Sequence, residues 1–334
     1  RMNFVNEDIV TLNRVTITNL LQEIGPGEVS DEIITGLQAE QKIISSKFFY
    51  NREGSLLFEE ITRLEEYYPT RTEKGILRQM APALMKQYKG YEIIELGPGD
   101  HSKISILLNA AAGLNLSSMK YLPLDISQPA LRSSAEQLVS TFPNLHVEGY
   151  AVDFLSQFGS VQREQAAIIC FFGSTIGNFE WESSLELLLN ISKKMKKGDV
   201  LLLGMDMVKP EPVLQAAYND ARGVTEAFNK NILNSVNDLI QSDFHTEDFD
   251  HLAYFNKERF RIEMHLVARR DLEVHSEHFS KDILFKKGET IHTENSHKYN
   301  SRHIHEIVDL TGLQLNQTHT DELGWFAVTE FQKL

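Results

Sequence analysis

Residues 91–100, YEIIELGPGD, predict a β-strand that runs into a glycine turn. The apolar residues from Ile93 to Leu96 surround Glu95, and Gly97-Pro98-Gly99 interrupts them. The next residues, HSKISILLNAA, have the apolar spacing of a helix. A strand, a glycine turn and a helix together bring backbone N–H groups and a helix N-terminus up to a ligand. This stretch therefore predicts a small-molecule site, and an ordinary strand-to-helix turn is the alternative.

Two kinds of nucleotide site fit the glycine turn. A dinucleotide fingerprint for NAD has a third glycine at position 102, where this chain has Ser102. The next predicted strand, YLPLD, ends in Asp125, which is placed to accept hydrogen bonds from the hydroxyls of a ribose. An acid within the first strand, a short glycine turn and a second-strand acid resemble the S-adenosylmethionine (SAM) site of class I methyltransferases. SAM is therefore the expected cofactor, with NAD as the alternative.

Length and charge restrict the function classes that remain. The chain has 334 residues, enough for two cores at roughly 150 residues per domain. Its 33 basic and 47 acidic residues give a formal net charge of −14. Because phosphate binding needs a basic surface, this charge argues against a nucleic-acid or anionic-membrane partner. A monomer is the default expectation for the oligomeric state.

The cellular compartment is predicted from cysteine usage and from the lack of apolar runs. Cys170 is the only cysteine, so no intrachain disulfide can form and a reducing compartment is expected. The start, RMNFVNEDIV, has no apolar core of signal-peptide length, and no run approaches 18 apolar residues. These features predict a cytoplasmic protein.

Strand and helix patterns alternate from residue 91 to residue 207, which predicts a doubly wound parallel sheet. The pattern changes at Val208-Lys209-Pro210, where helical segments are followed by the alternating stretches RFRIEMHLVARR and DLEVHSEHF. LQLNQTHTD and GWFAVTEF then suit a hairpin that completes the sheet. We therefore predict an α/β fold in which a class I methyltransferase domain comprises residues 72–207 and 298–334. Residues 1–71 and 208–297 are predicted to form an α+β substrate-binding domain.

Several helix starts are predicted from local residues. Ser30 is placed to cap DEIITGLQAEQK, and Gly54-Ser55 precedes the apolar side of the next helix. Thr70 or Thr72 is placed to cap the helix that leads to residues 91–100.

Three further stretches carry a resemblance to a known family. They are FFYNREGSLLFEEITRLEEYYPTRTE, GSTIGNF and TENSHKY. Together they resemble the histidine-specific N-α-methyltransferases of ergothioneine biosynthesis, and the resemblance extends over most of the chain. Members of that family use SAM to add three methyl groups to the α-amine of L-histidine, which gives hercynine. The resemblance implies the same fold, cofactor, substrate and activity here.

The resemblance also implies a set of SAM-binding residues. They are Gly97, Gly99, Asp125, Asp153, Phe154 and Gly173. The first two glycines would allow close backbone approach, Asp125 would hold the ribose, and Asp153 with Phe154 would hold the adenine. Gly173 would line the cofactor side of the GSTIGN segment.

For the substrate, the resemblance implies a second set: Tyr67, Asn178, Tyr218, Met264, Glu294 and Ser296. Asn178 and Tyr218 would hold the carboxylate, and Met264 would pack against the ring. Tyr67, Glu294 and Ser296 would face the imidazole. Tyr50 is the catalytic candidate, placed between cofactor and amine.

The residue types suit these roles on chemical grounds. An asparagine amide and a tyrosine hydroxyl can both donate to a carboxylate and fix its orientation. Glu294 and Ser296 lie two residues apart in an extended segment, so they point to the same face. An acid and a hydroxyl can bond both imidazole nitrogens and discriminate against an unmatched ring by on the order of 10⁴.

The substrate amine needs to lose a proton before it attacks. Its reference pKa near 8 leaves a free-amine fraction at neutral pH, so no dedicated general base is assigned. Tyr50 is expected to orient the amine or to relay its proton through water. Pro98, Asn295 and His297 depart from the family pattern and affect only fine substrate preference.

A metal site is an alternative to this interpretation, because histidines are frequent in the C-terminal third of the chain. They are His275, His278, His292, His297, His303 and His305. No cysteine accompanies them and no H-E-x-x-H spacing is present, so no metal is predicted. The remaining alternatives are methylation of another aromatic amino acid, a nicotinamide oxidoreductase, and a non-catalytic SAM-binding protein.

Overall fold

The computed structural model describes residues 13–25 and 27–334. The expectation about a signal sequence therefore falls on residues outside the described range.

The strands are β1 (Val15–Asn19), β2 (Lys42–Ile43), β3 (Glu92–Leu96), β4 (Met119–Asp125), β5 (Leu145–Ala151), β6 (Ala167–Phe171), β7 (Val200–Asp206), β8 (Phe249–Asn256), β9 (Arg261–Ala268), β10 (Leu272–Val274), β11 (Ile283–Phe285), β12 (Thr290–His297), β13 (Gln314–Thr320) and β14 (Phe326–Gln332).

The α-helices lie between these strands. They are α1 (Glu28–Gln38), α2 (Arg52–Ile61), α3 (Pro69–Gln87), α4 (Ser102–Ala112), α5 (Gln128–Thr141), α6 (Phe154–Gln157), α7 (Trp181–Lys194), α8 (Glu211–Tyr218), α9 (Val224–Ile240) and α10 (Ser301–Thr311). Short 3₁₀ segments occupy Ser46–Phe49, Phe158–Ser160, Thr175–Asn178 and Thr246–Asp248. In the part of the chain that the structure describes, no helix combines the length and the apolar character needed to cross a bilayer.

The larger sheet has the strand order β1-β5-β4-β3-β6-β7-β14-β13. The first six of these strands are parallel. Strand β14 pairs with β7 in the antiparallel direction, and β13, which precedes β14 in the chain, pairs with the other edge of β14, also in the antiparallel direction. Strands β3 and β6, at the centre, are buried along their whole length because helices cover both faces. The predicted doubly wound α/β fold with a terminal hairpin is confirmed.

A second sheet, with the order β2-β12-β9-β8, forms a separate unit with α1, α2, α8 and α9. Its hydrophobic core draws on residues 33–68 and 214–291, which lie within the two segments, 1–71 and 208–297, predicted to form one domain. The rings of Phe49 and Phe228 stack at the centre, with 4.4 Å between their centroids. We propose the predicted two-module division on this basis, with one change at the N-terminus.

That change concerns β1, which the predicted division placed in the second module. Strand β1 instead pairs in parallel with β5, with Ile17 opposite Gly149. A Cβ on Gly149 would lie 2.7 Å from the side chain of Ile17, so the glycine makes room for this contact. The alternating apolar residues of β1 thus extend the larger sheet by one strand.

The predicted helix starts need correction. Helix α1 begins at Glu28, so Ser30 lies inside its first turn and Gly27 occupies the cap position. Helix α3 begins at Pro69 rather than after a threonine, since a proline fits the first helical position, where the N–H is not needed. Helix α2 begins at Arg52, where the Asn51 side chain accepts the Gly54 N–H at 2.8 Å.

Candidate active site

The residues predicted to hold SAM lie at one edge of the larger sheet. Strands β4, β3 and β6 are parallel neighbours, and β5 follows beside β4, so their carboxyl ends meet at that edge. Asp125 is the last residue of β4, and the other five residues lie just after the ends of β3, β5 and β6. Asp125, for example, is paired with Ala151, two residues before Asp153. The structure therefore brings the predicted cofactor residues together.

The glycine turn after β3 offers exposed backbone rather than side chains. Gly97 and Gly99 have φ values of +57° and +61°, a left-handed region that favours glycine. A Cβ on Gly97 would lie 3.6 Å from the Phe154 ring, whereas one on Gly99 would meet nothing within 4 Å. The turn and the phenylalanine ring therefore border an open cradle whose backbone a ligand can approach closely.

The two aspartates at this edge already have local partners. Asp125 Oδ1 accepts the Ser127 N–H at 3.1 Å, which fixes its carboxylate at the end of β4. Asp153 caps α6 by accepting the Leu155 N–H at 3.0 Å and the Ser156 hydroxyl at 3.3 Å. A carboxylate has about four acceptor sites, so both aspartates keep capacity for a ligand.

Two charged residues beside Gly173 were not predicted from the sequence. Glu73, from α3, is fully buried and accepts the Gly173 N–H at 2.8 Å. The same carboxylate pairs with the Lys103 ammonium at 2.7 Å, and Lys103 lies in the first turn of α4. Gly173 itself has a φ of +77°. Glu73 and Lys103 therefore hold the loop that follows β6, and Lys103 brings a positive charge to the cofactor edge.

A pocket next to this edge collects the residues predicted for substrate and catalysis. The predicted residues that line it are Tyr50, Tyr67, Gly173, Asn178, Tyr218, Met264, Glu294 and Ser296. Asp206, at the end of β7, lines the same pocket. The pocket thus brings together side chains that are distant in the sequence, such as Tyr50 and Ser296, which are 246 positions apart. Their individual roles stay predictions.

One wall of the pocket is aromatic. Tyr50 contacts the edge of Phe58, with 5.8 Å between ring centroids, and 46% of its surface is exposed. Tyr67 lies edge to face against Tyr218, with centroids 6.1 Å apart. Aromatic walls with polar tips hold a ring-bearing ligand and orient it through their hydroxyl groups.

One of the two acidic residues that line the pocket is Glu294, on β12. It stands opposite Met264 of β9, just after an irregularity in strand pairing that begins at His292. Burial raises the pKa of the Glu294 carboxyl to about 7, although the positive charge of Lys298 opposes that shift. Near neutral pH this carboxyl can therefore either accept or donate a hydrogen bond.

A group of buried polar side chains, which we call the Asp206 cluster, lines one side of the pocket and extends behind it. Its members are Tyr68, Asp206, Lys209, Tyr218, Ser296 and Lys298, each at most 9% exposed. The Lys209 and Lys298 ammonium groups each donate to an Asp206 oxygen at 2.7 Å. Burial alone would raise the pKa of Asp206, but the two ammonium groups outweigh it and hold the pKa below its usual value.

The histidines do not converge on one site. His275 pairs with Asp282, His278 with Gln241, and the His303 ring accepts from the Asn300 N–H at a helix start. These three therefore have separate structural partners, as the sequence-based interpretation expected of most histidines.

One group of possible metal ligands is present in the described residues, namely Glu263, His265 and His292. The Glu263 carboxylate accepts from Asn256 at 2.8 Å, from Arg261 and His265 at 3.0 Å, and from Tyr254 at 3.1 Å. Arg261 already supplies a positive charge to this ion-pair network, in which the buried His265 Nδ1 has no hydrogen-bond partner. The prediction that the protein uses no metal remains untested.

Comparisons with known proteins agree with this geometry. A profile of the family described as "Histidine-specific methyltransferase, SAM-dependent" matches residues 29–333. The histidine N-alpha-methyltransferase of Mycolicibacterium smegmatis is 36% identical over 300 residues, which cover 89% of this chain and 92% of that protein. Its counterpart from Mycobacterium tuberculosis is 32% identical over 317 residues, or 95% of this chain and 98% of that protein.

A more distant relative methylates a different kind of compound, to judge by its name. The 4-dimethylallyltryptophan N-methyltransferase of Claviceps fusiformis is 25% identical over 345 aligned positions, which cover 95% of this chain and 96% of that protein. The profile match and the identities above 30% confirm the family resemblance and the SAM cofactor. The chain is a SAM-dependent methyltransferase and belongs to the histidine-specific methyltransferase family.

Proposed function

We propose that this enzyme methylates the α-amino nitrogen of L-histidine three times in succession and releases hercynine. The observation that carries this proposal is the pocket itself, in which the side chains predicted for amine, carboxylate and imidazole line one cavity. That cavity includes Gly173, which follows β6 at the cofactor edge, so substrate and cofactor would meet there. The histidine N-alpha-methyltransferases at 36% and 32% identity also support the substrate assignment.

The cofactor edge fits SAM in shape and charge. The bare backbone at Gly97 and Gly99 would approach the cofactor, and Asp125 would bind its ribose. Lys103 lies next to Gly173 and would face the carboxylate of the methionine part. When bound, SAM supplies an electrophilic methyl carbon, whose bond to sulfur breaks with both electrons passing to sulfur as the amine nitrogen forms the new bond.

The pocket side chains would align the amine for this in-line approach. Asn178 and Tyr218 would hold the substrate carboxylate, while Glu294 and Ser296 would bond the two ring nitrogens. With both ends of the amino acid fixed, the position of the amine relative to the methyl carbon is determined. Such positioning supplies much of the rate enhancement in bimolecular transfers.

Proton loss accompanies the reaction but needs no strong base. Although 46% of the Tyr50 surface is exposed, the partial burial of its phenol in the pocket raises the pKa of that group, and the negative charge of Glu294 adds to the effect. Tyr50 therefore stays protonated at neutral pH and orients the amine instead of acting as a phenolate base. The nitrogen carries no proton after the third transfer and has no free electron pair, so methylation stops at three.

The test is mass spectrometry of the purified protein incubated with SAM and an equimolar mixture of the twenty amino acids. Stepwise addition of one, two and three methyl groups to histidine alone is the expected result. Methylation of tryptophan would support the second candidate, which the Claviceps relative favours. An indole offers only one donor and would leave either Glu294 or Ser296 unmatched. Bound SAM without methylation of any amino acid would indicate a non-catalytic protein and contradict the proposal.

A further inference from the structure

Lys298 contacts two of the residues proposed to bind substrate but does not itself line the pocket. Its ammonium group lies 2.7 Å from Asp206 Oδ2, 2.7 Å from the Tyr218 hydroxyl and 2.9 Å from Ser296 Oγ. These three contacts use all three of its N–H donors. The side chain is 1% exposed, so these buried groups are its partners rather than solvent.

These contacts restrict the protons of Tyr218 and Ser296. An ammonium group only donates, so both hydroxyl oxygens are acceptors toward Lys298. The two hydroxyls also lie 2.8 Å from each other, and one of them donates to the other. One of the two hydroxyl protons is thus used within the pair, and one remains for a ligand in the pocket.

The charges of the Asp206 cluster do not balance. Two ammonium groups share one carboxylate, which leaves an excess of one positive charge. Of the two lysines, Lys298 is the one that contacts the hydroxyls of Tyr218 and Ser296, and its charge also acts on Glu294. This buried excess lies behind the residue proposed to hold the substrate carboxylate, so it complements the charge of that group.

We infer that Lys298 is a positioning residue for the amino-acid substrate. It fixes the oxygens of Tyr218 and Ser296 so that the pair presents a single hydroxyl donor, and it supplies positive charge behind the substrate carboxylate. This inference rests on the proposed function, because it takes Tyr218 and Ser296 as the groups that bind L-histidine.

Lys209 provides a matched control. It carries the same charge and donates to the same carboxylate, through Asp206 Oδ1 at 2.7 Å. Its other side-chain partner is the Tyr68 hydroxyl at 2.7 Å, and no hydrogen bond joins it to Tyr218 or Ser296. Removal of either lysine leaves Asp206 with one cationic partner, so neither variant creates an unpaired buried carboxylate.

The experiment compares Lys298→Met and Lys209→Met with the wild-type enzyme in steady-state kinetics. For Lys298→Met we expect kcat/KM for L-histidine to fall roughly 100-fold, because misplaced side chains no longer align the amine. Its KM for SAM should stay at the wild-type value, since the cofactor edge is untouched. Lys209→Met should lose far less kcat/KM for L-histidine. A purely structural role for the cluster would instead make the two variants equal, which would overturn the inference.

A second variant, Lys298→Gln, keeps N–H donors but removes the charge, and it serves if the methionine variant does not fold. An activity between those of wild type and Lys298→Met is expected. Wild-type kcat/KM in Lys298→Gln would overturn the role assigned to charge. Turnover of L-histidine by the wild-type enzyme is measured first, because its absence would refute the proposed function and this inference with it. Wild-type turnover with an unchanged Lys298→Met would refute the inference alone.

Discussion

The cofactor edge and the substrate pocket are adjacent, yet they are constructed differently. The edge uses backbone turns at the ends of neighbouring parallel strands, and its predicted residues fall between positions 97 and 173. The pocket uses side chains from both modules, between positions 50 and 296, and a buried ion cluster supports them. The cofactor edge thus relies on turns at the ends of paired strands, whereas the choice of substrate depends on side chains that packing between the modules brings together. Variants should therefore affect one region without the other.

The largest expected effect is on substrate choice. In the double variant Glu294→Ala/Ser296→Ala we expect kcat/KM for L-histidine to fall by on the order of 10⁴, because both groups that match the ring nitrogens are gone. SAM affinity, measured by calorimetry, should be unchanged. A parallel loss of SAM affinity would show that the edge and the pocket cannot be separated, which would contradict the comparison.

A substitution in the glycine turn should give the converse result with a smaller effect. We expect Gly97→Val to lower SAM affinity about 100-fold, because the side chain strains a residue at φ +57° and fills the cradle beside Phe154. Calorimetry with SAM alone measures this loss.

The matched control for that variant is Gly288→Val in the second module. Gly288 has a φ of +86°, and a Cβ there would meet nothing within 4 Å, so the backbone strain is similar but no ligand site is near. Thermal melting should show comparable destabilisation of both variants, with normal SAM affinity in the control. Equal SAM affinities in the two variants would mean that the turn after β3 is not part of the cofactor site.

The smallest measured change is expected in stability, where removal of the Glu294 charge should shift the melting temperature by a few degrees in a pH-dependent way. Glu294 has a folded pKa of about 7 against a reference value of 4.5, so the folded state holds its proton more tightly than the unfolded state does. Stability is therefore lost as the pH rises from 4.5 to 7, by up to about 3 kcal/mol. Glu294→Gln should melt a few degrees above wild type at pH 8 and at the same temperature near pH 4.5. A pH-independent difference would contradict the shifted pKa.

Physical patterns in the sequence were sufficient for the larger sheet, apart from β1, and for its glycine turn. The apolar strand at residues 92–96 and the glycines that follow it require only local conformational preferences. The substrate-binding residues were predicted from the family resemblance, because no local pattern distinguishes Glu294 from a solvated loop carboxylate. Its burial depends on strand β9, which is remote from it in the sequence.

Other features could not be predicted because their partners are distant. Lysines are mostly exposed in proteins. Nothing near Lys209 or Lys298 in the sequence indicated that both would be buried and paired with Asp206. Strand β1 is short, and only its pairing with β5 assigns it to the larger sheet. A polar residue at the carboxyl end of an apolar strand, as in GMDM, was the available signal for Asp206.

The Asp206 cluster also stands where the chain passes between the two proposed modules. The predicted boundaries fall after residues 71, 207 and 297, and Tyr68, Lys209 and Lys298 lie within four residues of them. The three crossings are thus joined to one another by buried hydrogen bonds and ion pairs to Asp206. We expect amide hydrogens next to these contacts to exchange more slowly than those near Tyr50, which lies at the exposed mouth of the pocket.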